Sequence, residues 1–191
     1  MGRLNLRNKN NQDLFNFLDN FKKRHIVYVE RFPLFIENVP YSDERGMEPP
    51  YKKGKRIQHN QNQIETNKQL VNESISNLLQ HSEKFYLIYP IPEQPYNPIQ
   101  KYSKTRKIIS SPFNKYKSRV KNSYDALNKV ESNKVIRIYP EKVFCDILTN
   151  KCYENDTNGL FYSSSNHLTD YGAEKLLYDY FPLERFIDAK N

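Results

Sequence analysis

Three runs of β-branched and aromatic residues punctuate this chain, and helical apolar spacing surrounds each of them. The runs are His25 to Phe32, Phe85 to Tyr89 and Lys134 to Tyr139, a composition that suits strands. Phe85-Tyr86-Leu87-Ile88-Tyr89 contains no charged residue, as expected of a strand covered on both faces. Leu14, Phe15, Phe17, Leu18 and Phe21 predict a helix over 13–24, and Ile64, Val71, Ile75, Leu78 and Leu79 another over 62–80. Phe113, Tyr116, Val120, Tyr124, Leu127 and Val130 form one stripe on a third helix, with Pro112 where a first turn tolerates it. Thr169 can cap a last helix carrying Leu176, Leu177, Tyr180 and Phe181, which Pro182 bends or interrupts. Such alternation buries both faces of a parallel sheet under helices. The predicted class is α/β, a three-layer sandwich with a mainly parallel sheet. Sites in open sheets of this kind form beyond the carboxyl ends of the strands. The loops after Phe32, Tyr89 and Tyr139 are therefore expected to share that edge.

A length of 191 residues suits one domain, and residues 1–191 are expected to form it, with 41–59 and 93–111 as long loops. The net charge of +8 raises the question of a nucleic-acid partner. The cations are scattered, and the densest run, Lys52-Lys53-Gly54-Lys55-Arg56, follows Pro49-Pro50 as an exposed loop would. A solvated basic surface is the preferred reading, and no nucleic-acid partner is expected. No stretch approaches the ~20 apolar residues of a membrane helix, and the polar segment 1–12 lacks the apolar core of a signal peptide.

The strongest local signal is Tyr162-Ser163-Ser164-Ser165-Asn166-His167-Leu168-Thr169, followed by Tyr171-Gly172-Ala173. A histidine just ahead of a capped helix is held by rigid structure, and its imidazole is suited to moving protons near neutrality. A loop histidine with no chemical task is the plainer reading. His25 opens a strand, and His59 and His81 stand in polar surroundings without ligand partners, so structural or surface roles suit them. Cys145 and Cys152, seven apart and without a histidine cluster, do not make a zinc site. A free buried pair and a disulfide both remain open. No metal or other cofactor is expected, and no glycine-rich phosphate loop is present.

The block His167-Leu168-Thr169 with Gly172-Ala173 resembles the last motif of SGNH hydrolases, in particular the SGNH domain attached to membrane O-acyltransferases that acetylate cell-surface polysaccharides. Val27 to Phe32 is similar to that family's strand ending in Arg and an aromatic residue. Tyr89-Pro90-Ile91-Pro92-Glu93 is similar to its strand ending in Pro-x-Pro, and Cys145 and Cys152 bracket a loop as its cysteine pair does. The order of these segments, from about residue 20 onward, carries the resemblance.

That resemblance implies an SGNH or flavodoxin-like fold, His167 as the general base that activates a serine, and a disulfide between Cys145 and Cys152, hence an oxidising compartment. Where the family places an Asp three residues before the His, this chain has Ser164, which is expected to orient the ring without bringing charge. Arg31 and Asn166 are the candidate substrate-binding residues, Arg31 being equally suited to a salt bridge. The family's nucleophile lies in a Gly-Asp-Ser motif after the first strand. None of Gly2, Gly46, Gly54, Gly159 and Gly172 is followed by Asp-Ser. The expectation is therefore the C-terminal two-thirds of the domain with its N-terminal strand missing, or a degenerate copy.

On this reading the complete form transfers or removes O-acetyl groups on cell-surface polysaccharide, with a glycan or acyl ester as substrate. The chain alone is expected to be inactive. A longer parent would add a membrane acyltransferase domain and place this one on the periplasmic or extracellular face. The alternatives are a non-catalytic carbohydrate- or protein-binding module of the same fold and, as a weaker reading, a basic nucleic-acid-binding protein.

Overall fold

The computed structural model describes residues 25–48 and 58–181. In chain order the elements are β1 (His25–Tyr28), α1 (Phe32–Glu37), β2 (Ser42–Asp43), β3 (Gly46–Met47), α2 (Gln61–Gln80), β4 (Lys84–Ile88) and α3 (Pro98–Thr105). There follow β5 (Ser110–Pro112), α4 (Phe113–Leu127), β6 (Val135–Ile138), α5 (Glu141–Phe144), β7 (Cys145–Asp146), β8 (Lys151–Tyr153) and α6 (Asp170–Leu177). The expected helix over 13–24 lies outside the described residues.

The described residues divide into two compact units, one of residues 25–38, 58–90 and 120–138, the other of 39–48, 91–119 and 139–181. The first holds a three-stranded parallel sheet in the order β1-β4-β6, with His25 opposite Lys84 and Phe85 opposite Val135. The fold class is thus α/β, a parallel sheet flanked by helices. β4 is the central strand, which is why its sequence is an unbroken apolar run: Phe85 to Ile88 are all buried. β1 is an edge strand, and Val27 stays 47% exposed.

Over the sheet, α2 contributes Ile64, Val71, Ile75 and Leu78 to the core, the residues whose helical spacing predicted it. Its N-terminus closes with a capping box, in which Asn60 and Gln63 satisfy each other's backbone N–H groups. Val120, Ala126 and Leu127 from the end of α4 are also buried. Tyr89, fully buried beyond β4, meets Tyr124 edge-on and donates its hydroxyl to Asn128 Oδ1 at 2.7 Å. A buried phenol is thereby kept satisfied.

The strand expected over 25–32 is shorter than its composition suggested. It stops at Tyr28, and α1 begins at Phe32 with Pro33 in its first turn, a position proline favours. The stretch 93–111, expected as loop, carries α3, capped by Asn97 and opened by Pro98, and the start of β5. The stretch 41–59 holds the two-residue strands of the β2–β3 hairpin.

In the second unit, β5, β8 and β7 form an antiparallel sheet in that order. Cys145 and Cys152 face each other across β7 and β8 and are joined by a disulfide. Phe144, Phe161 and Tyr162 pack as an aromatic cluster beside it.

Candidate functional site

The segment from Phe161 to Thr169 is a tight backbone-bonded loop. Tyr162 bridges Leu168, Ser163 N–H donates to His167 O at 2.9 Å, and Thr169 N–H to Phe161 O at 2.9 Å. The loop is tied outward by Phe161 N–H to Glu154 O and by Gln94 N–H to Ser165 O, at 2.9 and 2.7 Å. Thr169 caps α6, accepting from Gly172 N–H at 3.0 Å while its own hydroxyl donates to Leu160 O at 2.6 Å. Gly172 lies so close to the Phe161 carbonyl that any Cβ would overlap it. The histidine is thus seated between a rigid turn and a capped helix.

Within that loop Ser164 Oγ lies 2.8 Å from His167 Nδ1 and 3.2 Å from Asn166 Oδ1, to which it can donate. Asn166 N–H in turn points at Ser164 Oγ at 3.4 Å. One consistent chain runs from His167 Nδ1–H to Ser164 Oγ and from the Ser164 hydroxyl to Asn166 Oδ1; the other has the Ser164 hydroxyl donating to Nδ1 and accepting from Asn166 N–H. In the first, Nε2 is the ring nitrogen that carries the lone pair. His167 is exposed. Ser164, Asn166 and His167 therefore come together in this loop. Arg31, the N-cap residue of α1, belongs to the first unit and is not in this cluster.

The sequence reading missed a polar network in the same unit. Tyr96 donates its hydroxyl to Glu154 Oε1, and Lys101 Nζ donates to Tyr96 Oη at 2.8 Å. Arg45 reaches Tyr96 Oη at 3.5 Å and grips Asp43 through Nε and Nη2 at 3.0 and 2.6 Å. Tyr41 donates to the same carboxylate at 3.0 Å. Burial raises the Asp43 carboxyl, but the Arg45 and Tyr41 bonds outweigh it and hold the group below its ordinary range.

Glu154 goes the other way. It is fully buried, and desolvation keeps its carboxyl above the ordinary value despite the Tyr96 bond and the nearby cations. Its Oε2 has no hydrogen-bond partner, nor does the hydroxyl of buried Tyr162. In the same unit, Glu93 and Arg119 form a buried ion pair at 2.7 Å, and Arg119 also donates to Val39 O. The Glu93–Arg119, Tyr96–Glu154 and Arg119–Val39 contacts join residues 26 to 80 positions apart, so no local pattern announced them. The strand-end Pro-x-Pro-Glu segment alone hinted at Glu93.

Among the described residues no cluster of three or more His, Cys, Asp or Glu side chains is placed to hold a metal ion. No described helix is long and apolar enough to cross a membrane. A family model described as "SGNH domain (fused to AT3 domains)" matches residues 4–180. No curated protein and no solved structure matches the chain.

Proposed function

The chain belongs to the SGNH-domain family, and on that premise we propose that it is the acyl-transfer or esterase domain of an O-acetylation system acting on cell-surface polysaccharide. The observation that carries this reading is the Ser164–His167 contact directly ahead of the capped helix α6. His167 Nε2 takes the proton from an attacking serine hydroxyl, and the Ser164–Asn166 chain holds the ring in the Nδ1–H tautomer. Ser164 stands where a carboxylate would otherwise steady the imidazolium, so the base is weaker than a full triad member. Asn166 is the residue assigned to substrate in this loop, and no cofactor takes part.

No glycine of the chain precedes Asp-Ser, so the serine that His167 activates is left unassigned in this reading. In the longer parent the 191 residues act as one SGNH-like domain joined to a membrane acyltransferase domain, in keeping with the fusion in the family's description. The Cys145–Cys152 disulfide suits a periplasmic or extracellular location.

The absence of a recognisable nucleophile also favours a second reading, a non-catalytic carbohydrate- or protein-binding module of the same fold. A fluorophosphonate probe separates local catalysis from both. This chain alone is expected to take up no stoichiometric label, and stoichiometric labelling would show that a serine within it is activated.

A further inference from the structure

The most exposed large apolar side chains among the described residues are Leu148 and Ile147, at 97% and 67%. They sit side by side at the tip of the β7–β8 hairpin, the piece of chain that the Cys145–Cys152 disulfide clips. Single exposed apolar residues are ordinary. Two adjacent ones held outward by a heavily braced turn are not.

The bracing is dense. Asp146 accepts from Leu148 N–H at 2.9 Å, from Thr149 N–H at 3.4 Å and from the Thr149 hydroxyl at 2.7 Å. Asn150 adopts a left-handed backbone, with φ of 55°, and its N–H returns to Ile147 O at 3.2 Å. Its carbonyl and side chain accept from Phe113 N–H and Asn114 N–H, each at 3.0 Å. The N–H groups of Leu148, Thr149 and Asn150 are therefore all satisfied within the turn.

We infer that the Ile147–Leu148 tip is a contact for an anionic lipid surface. A backbone closed on itself can enter the interfacial layer without stranding polar groups. Two side chains are far too small a patch for a stable protein interface, which needs roughly 800 Å² from each partner, whereas a lipid surface needs no complementary pocket. The nearby charge has the matching sign. Lys151 follows the tip and is exposed. Lys115 and Lys117 lie in the first turns of α4, the helix start bonded to Asn150. Lys115 is shared with Glu44 in a solvent-exposed pair at 3.2 Å, a type of pair that is weakly held. Asp146 stands opposite Lys151 in the ladder, and its exposed carboxylate is bonded to the turn and feels the Lys151 charge. Affinity from so small a contact is weak, below that of one acyl chain, so the tip serves as a second attachment for a domain already near a membrane. The inference does not depend on the role of His167.

The test is co-sedimentation of the whole chain with phosphatidylcholine vesicles with and without phosphatidylglycerol, comparing wild type with the uncharged Ile147→Ser/Leu148→Ser variant. Both positions are exposed, so circular dichroism and Tm should be unchanged. Binding to the anionic vesicles is expected to fall at least about tenfold in the variant, and more modestly in Lys151→Glu. Equal binding by variant and wild type would overturn the inference, since charge alone would then explain it. Failure of the wild type to sediment even at millimolar lipid would overturn it as well, as would self-association through the tip.

Discussion

Ser164 Oγ stands 2.8 Å from His167 Nδ1, the place where an orienting group must sit if Nε2 is to act as a base. Removing it should release the ring. In the complete catalytic polypeptide, Ser164→Ala is expected to lower kcat about fivefold to tenfold, the worth of roughly one neutral hydrogen bond. Ser164→Asp should raise kcat by supplying the charge that stabilises the imidazolium. Nitrogen-15 NMR of the ring gives an independent readout: the Nδ1–H tautomer should dominate in wild type and lose population in Ser164→Ala. Unchanged tautomer populations would mean that the contact does not hold the ring.

The disulfide clips a loop of seven residues' separation, and chain-entropy reasoning assigns such a loop about 2.5 kcal/mol. Cys145→Ser/Cys152→Ser should lose about that much stability in urea unfolding at an unchanged m-value. Alkylation of the untreated protein should add no mass until a reductant is present.

Glu154 gives a pH signature. Burial places its folded pKa above the 4.5 of an ordinary glutamate, so the native state holds the proton longer than the unfolded chain does. Stability from this group is therefore full below about pH 4.5 and is lost as pH rises toward the raised folded value. Glu154→Gln keeps an acceptor for the Tyr96 hydroxyl without the buried charge. The Tm difference between variant and wild type should grow in the variant's favour across that window and then level off. A difference that does not vary with pH would contradict the assignment.

Gly172 has no room for a side chain against the Phe161 carbonyl. Gly172→Ala should cost about 3 kcal/mol, because α6 must move away from the loop that carries His167. Chemical shifts of Ser163 to Thr169 should change with it, while those of the parallel sheet should stay put.

The parallel sheet was legible because β4 is central. Burial on both faces wrote a five-residue apolar run into the sequence, and Ile64, Val71, Ile75 and Leu78 marked the core face of α2 in the same way. α3 was not legible. It is eight residues long and buries only Pro98, so it has no apolar stripe, and its Asn97-Pro98 start reads equally as a turn. The Ser164–His167 contact spans three residues, and Ser164 entered the reading only through the family resemblance, which puts an orienting residue at that position. The Tyr96–Glu154 bond spans 58, and a buried glutamate in a β-rich segment looks like any surface glutamate until the fold covers it.

The most direct test of the account is acetate release from an aryl acetate by the polypeptide made from its native locus, before and after His167→Ala. The account predicts an activity that falls about 10³-fold or more on losing His167. Activity that survives His167→Ala would contradict it.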